Sequence, residues 1–172
     1  MRLVSGVVLL ILFAASGAAA QPSRAMTRPD FSGAWVFDQA KSAQPGPDGT
    51  VVLAAMLGDE FTARQDAVSL ALTIRSGNLR VDAAYKLDGS ESRNMSPGPS
   101  GQLDVEVVSR ASWENGKLVI ASNSVSVLEG KQVPIETRRV LWIDAGGSLI
   151  IERTGTPVSQ VQPSRSVYRK VK

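Results

Sequence analysis

Neither histidine nor cysteine occurs among the 172 residues, so any chemistry this chain performs falls to carboxylates, lysine, tyrosine, serine and threonine. Ser-His-Asp and Cys-His machinery, His-ligated haem and an ordinary zinc site are excluded with those two residue types. The residue that stands out is Arg139. It belongs to the series Val133, Ile135, Thr137, Arg139, Leu141 and Ile143, which shares one face of a strand. A guanidinium in mid-strand among apolar neighbours is costly unless its charge is paired. One partner is the acid group of an apolar molecule, held in a cavity by Arg139 and Tyr85 with Thr137 and Trp113 as further wall residues. The other reading is a surface ion pair with Asp104, Glu106, Glu136 or Glu152.

Asp104 and Glu106 lie two apart on one strand face and could act as a carboxylate pair. Nothing else in the sequence marks a glycosidase-type cleft, and solvent-facing charge is ordinary on an antiparallel strand. Neither Asp88-Gly89 nor Asp144 sits in a calcium-loop spacing. The chain therefore reads as non-catalytic, with no catalytic residue, metal or cofactor expected. The charge of +3 is small and its basic residues are scattered, which argues against a nucleic-acid partner.

The elements that must position these residues are strands. From residue 31 onward, short apolar runs alternate with period two and are separated by turn signals. Nine strands are predicted: Gly33 to Asp38, Glu60 to Gln65, Ser69 to Arg75, Leu79 to Leu87, Leu103 to Trp113, Lys117 to Val127, Val133 to Ile143, Ser148 to Thr154, and Arg165 to Val171. Asn115-Gly116 is the strongest hairpin signal among the turns. Two segments interrupt the meander. Gln39 to Asp59 starts with a Pro/Gly stretch and continues as "TVVLAAML", readable as helix or strand, and Gly89 to Gln102 reads as a polar loop. Sequential hairpins of this number avoid exposed edges by closing on themselves. The fold class is all-β, an antiparallel up-and-down barrel of about eight to nine strands, with a β-sandwich as the alternative.

Ahead of this domain, Arg2, the apolar run Leu3 to Ala15 and Ala18-Ala19-Ala20 have the form of a cleaved signal peptide. The run is short for a membrane span, which needs about 20 apolar residues. The expected organisation is a signal peptide over 1–20, a flexible stub over 21–30 and one barrel domain over 31–172. That places the mature protein in the periplasm or outside a bacterial cell, with no membrane attachment after cleavage.

"FSGAWVFDQAKS", "LGDEFTARQD", "YKLDGSESRN", "ASWENGKLVI" and "VLWIDAGGSLIIERT", in that order, resemble the secreted lipocalin-like proteins of bacteria, within the calycin group of up-and-down barrels. The likeness runs from Phe31 to Lys170. It implies that Gly33 and Trp35 close one end of the barrel, with Arg169 of the last strand (or Arg165) stacked on the indole. Such a contact is worth ~0.5–2 kcal/mol. Fatty-acid-binding relatives grip a carboxylate with an Arg-x-Tyr element on the last strand. This chain departs there, reading Arg165-Ser-Val-Tyr168-Arg169. The expected function is exported, non-catalytic binding of a small apolar or amphipathic molecule. Two other readings stand beside it: an exported protein-interaction module such as a barrel-type protease inhibitor, contacting its partner through the stub or the Gly89–Gln102 segment, and a His- and Cys-independent enzyme on the same scaffold.

Overall fold

The computed structural model describes residues 28–45, 51–52, 54–98, 100–128, 130–159 and 161–171. The signal-peptide reading and most of the stub lie outside the described residues. The chain forms β1 (Gly33–Phe37), α1 (Gln39–Ser42), β2 (Gln44–Pro45), β3 (Val51–Val52), β4 (Glu60–Gln65), β5 (Ser69–Ser76), β6 (Leu79–Lys86), β7 (Glu91–Pro97), β8 (Leu103–Glu114), β9 (Lys117–Leu128), β10 (Lys131–Ile143), β11 (Leu149–Thr156) and β12 (Ser164–Lys170). Ten strands make one antiparallel sheet in the order β6-β5-β4-β1-β12-β11-β10-β9-β8-β7, and β2 pairs with β3 apart from it. The sheet curls into a near-closed up-and-down barrel, so the sandwich alternative does not apply.

Nine of the ten wall strands fall where period-two alternation places them. The tenth, β7, lies inside the segment read as a polar loop. Its inward residues are Ser92, Asn94 and Ser96 and its outward ones Glu91, Arg93 and Met95, so it has no continuous apolar face to betray it. The Gln39–Asp59 connection contributes a single helical turn, capped by Asp38, whose carboxylate accepts from Lys41 N–H at 3.1 Å. Within "TVVLAAML", Val51–Val52 is strand.

β6 and β7 face each other at the edges of the sheet without a backbone ladder. Side chains of β7 bridge the gap. Ser92 Oγ accepts the Lys86 N–H at 2.9 Å. Asn94 Oδ1 accepts the Ala84 N–H at 2.7 Å, and its amide donates to the Ala84 carbonyl at 3.0 Å. Three backbone groups of the β6 edge, the N–H and carbonyl of Ala84 and the N–H of Lys86, are thereby satisfied.

The hairpin turn at Asn115-Gly116 has positive φ at both residues, 49° and 76°, the geometry that Asn and Gly tolerate best. It marks the closed end of the barrel, where the core is densest. Phe31 stacks on Trp113 with centroids 5.9 Å apart and Trp35 on Phe61 at 6.4 Å. The buried Trp35 donates its indole N–H to the Phe31 carbonyl at 2.8 Å. Leu70, Leu87, Ala111, Leu118, Ile120, Leu141 and Leu149 fill the space between.

The cation at Trp35 is Lys170, with Nζ 5.5 Å from the ring centroid. Arg169, expected in that place, is exposed and sits opposite Val36. The register explains the shift: Trp35 pairs with Lys170, so Tyr168 and Lys170 share the indole's face while Val167 and Arg169 point outward. Gly33 is needed here. A Cβ at that position would meet Lys170 Cε at 2.6 Å, and its φ of +127° disfavours any other residue.

Candidate functional site

On β9, β10 and β11 the inward row of side chains changes character on the way from the closed end to the mouth. On β9, Leu118 and Ile120 are followed by Ser122, Ser124 and Ser126. On β10, Ile143 and Leu141 give way to Arg139 and Thr137. On β11, Leu149 and Ile151 give way to Arg153. Two inward apolar residues per strand thus build a floor, and polar groups begin immediately above it.

Above the floor lies a cavity of about 370 Å³. Ile74, Leu79, Val81 and Val107 form its apolar wall, and Tyr85, Thr137, Arg139, Arg153 and the serines its polar one. The segment around Ala55–Gly58 lies across this space, held by β12. The Tyr168 hydroxyl accepts the Leu57 N–H at 2.8 Å and donates to the Gly58 carbonyl at 3.1 Å. Ser166 Oγ donates to the Ala54 carbonyl and accepts the Met56 N–H. Gly58, with φ +68°, has no room for a side chain, because a Cβ would strike the Arg75 carbonyl. Burial pushes the Tyr168 phenol up to about 12.

The Arg139 guanidinium donates to the Tyr85 hydroxyl at 2.9 Å and lies 5.7 Å from the Tyr85 ring centroid. Tyr85 is almost wholly buried, and its own hydroxyl proton remains available to a further acceptor. Directly across the β10–β11 ladder from Arg139 stands Arg153. Burial first, and then the charge of Arg139, pull the Arg153 pKa below its ordinary value. Its Nε is buried without a hydrogen-bond partner, as is the hydroxyl of Ser164 in the register position opposite.

No carboxylate pairs with either arginine among the described residues. The four acids named as surface partners of Arg139 all face outward. Arg93 holds Glu106 at 3.1 Å, Asp104 accepts from the Ser100 hydroxyl at 3.2 Å, Glu136 accepts from Thr156 at 3.4 Å, and Glu152 is exposed. Asp104 and Glu106 line the outer wall, so they form no interior carboxylate pair.

The structure brings Tyr85, Thr137 and Arg139 together on the cavity wall. Trp113 is elsewhere: it is on the inner face but in the floor, stacked on Phe31 and under the Arg28 guanidinium at 5.5 Å. Trp142 faces outward, with Lys117 Nζ 4.0 Å from its ring centroid. Arg153 was missed in the sequence. The signal was present, since Leu149, Ile151 and Arg153 alternate just as Leu141 and Arg139 do. Among the described residues no group of three or more acidic side chains is placed to hold a metal ion.

A second concavity, of about 970 Å³, lies chiefly on the outer surface of β8, β9 and β10. Exposed Val125 and Val127 line it together with Asp104, Glu106 and Glu136.

No family model matches the chain, and no curated protein matches it in sequence. Among solved structures, a mutant of the fluorescent protein UnaG aligns with 19% identity and a TM-score of 0.51, covering 83% of this chain and 96% of that one. Wild-type UnaG aligns with 19% identity and a TM-score of 0.49, over 82% and 97% respectively. At this identity the likeness to the mutant establishes a shared barrel fold.

Proposed function

We propose that this chain is an exported, non-catalytic barrel protein that binds a small amphipathic acid in its interior, the acid group on Arg139 and Tyr85 and the apolar body against Ile74, Leu79, Val81 and Val107. One observation carries the reading: two guanidiniums face a partly apolar cavity, and no carboxylate of the described chain pairs with them. A desolvated charge without a partner is costly, and a ligand acid would remove that cost with a charge-assisted hydrogen bond. The leader sequence supports export, and the lack of His and Cys supports a binding role over catalysis. Thermal-shift titration with fatty acids, wild type against Arg139→Ala, tests the proposal. The wild type should gain stability with rising ligand and the variant much less. No shift in either protein would rule the reading out.

The outer concavity favours a second reading, protein interaction. Val125 is 50% and Val127 57% exposed on a surface lined with three carboxylates, a combination suited to a basic, apolar peptide segment. Chemical-shift mapping with such a peptide would place perturbations on β8–β10 if this surface is used, and leave it silent if not.

A further inference from the structure

The charge count of the cavity goes further than its affinity for acids. Arg139 and Arg153 stand at one register position on neighbouring strands, and both line the same space. Burial, and after it the charge of Arg139, makes Arg153 harder to keep charged. A monocarboxylate neutralises one of them. Held by Arg139 and the Tyr85 hydroxyl, it leaves the second guanidinium charge of the cavity uncompensated. Five donors on a guanidinium ask for more acceptor oxygens than one carboxylate supplies.

Resting on the binding reading above, we infer that the ligand of this cavity carries a doubly charged head, of the phosphate-monoester class, with Arg139 and Arg153 taking one negative charge each. A tetrahedral phosphate presents three terminal oxygens. These can engage Arg139, Arg153 and the Tyr85 hydroxyl, which stand on β10, β11 and β6. The cavity of about 370 Å³ leaves room for a short apolar tail. Arg153 is then the residue that separates dianions from monoanions, while Arg139 is required for both.

Octyl phosphate, octanoate and octyl sulfate, titrated calorimetrically into the full chain, test this directly. The phosphate monoester loses its second proton near pH 6, whereas octyl sulfate stays a monoanion at both pH 7.5 and pH 5 and octanoate is one at pH 7.5. Octyl phosphate should bind at least about tenfold more tightly than the other two at pH 7.5, the scale of one charge-assisted hydrogen bond. That advantage should vanish against octyl sulfate at pH 5. In Arg153→Met the phosphate should fall to the level of octanoate, with octanoate little changed. Equal affinity of all three ligands at pH 7.5 would overturn the dianion inference and leave the acid-binding reading intact. An advantage of phosphate and sulfate alike, unchanged by pH, would overturn it in favour of tetrahedral shape. Binding of none would overturn both.

Discussion

Along β9, Leu118 and Ile120 point into the barrel near the Asn115-Gly116 turn, and Ser122, Ser124 and Ser126 point into it further up. The backbone ladder is the same over both stretches and so is the strand. Only the inward side chains differ, and they divide the molecule into two regions of opposite energetics. In the lower region each fully buried large apolar side chain contributes about 1.5–3 kcal/mol relative to exposure, and the aromatic stacks add to this. In the upper region an apolar wall of Ile74, Leu79, Val81 and Val107 faces hydroxyls and two guanidiniums, which hold on to water or a ligand more readily than to one another. Ser109 and Ser122, hydrogen-bonded at 2.8 Å, mark the boundary on β8 and β9. The lower half keeps the barrel folded, and the upper half is left free to be a container.

The comparison breaks most easily at the floor. Trp35→Ala should lower stability by about 3–5 kcal/mol in urea denaturation, because Phe31, Phe61 and Lys170 all pack on the indole. A loss under about 1 kcal/mol would show that the closed end is no more important than the mouth. Next comes Tyr168, whose phenol ties the two halves together through Leu57 and Gly58. Tyr168→Phe should cost about 1–3 kcal/mol near neutral pH. It should also change the alkaline limb of the stability curve. The folded phenol ionises at about 12 and the unfolded one at its ordinary value of 10.0, so the unfolded state sheds its proton first. Stability should therefore fall as pH rises through this window, by roughly 2–3 kcal/mol, and Tyr168→Phe should lack that component.

The upper half should respond with the opposite sign. Arg153→Met removes a half-buried charge that no carboxylate balances, and the ligand-free protein should gain about 1 kcal/mol, read as a higher urea midpoint. A loss of similar size would mean that Arg153 has a structural partner. The smallest effect belongs to the gap between β6 and β7. Asn94→Asp keeps the acceptor for the Ala84 N–H and loses the donor to its carbonyl, so it should cost roughly 0.5–1.5 kcal/mol and raise hydrogen exchange at Ala84 and Lys86 alone.

What the sequence made legible follows from these two regimes. Period-two alternation finds a strand when one of its faces is mostly apolar, and β5, β6 and β8 meet that condition. β7 does not, since Ser92, Asn94 and Ser96 look onto the cavity and the gap. The inward placement of Arg139 followed from its position between Thr137 and Leu141 on a single face. Arg153 went unread although strand parity, which sends it and the neighbouring Glu152 to opposite sides, places it on the inward face. The cation at Trp35 was misplaced by one residue for a related reason. Arg165 and Arg169 share one face of β12, but which of its faces meets the indole depends on the register with β1, a long-range property that neither strand encodes alone.

A wall made only of ladders has a circumference fixed by its strand count and register. This one is a split ring. Its two lips are joined by Asn94, which imitates a strand residue with one side-chain carboxamide, and by the hydroxyl of Ser92. Parting them asks for the rotation of two side chains, where breaking a ladder requires many bonds to be lost together. An occupant slightly too large for the barrel therefore strains the split first, and the aromatic floor last.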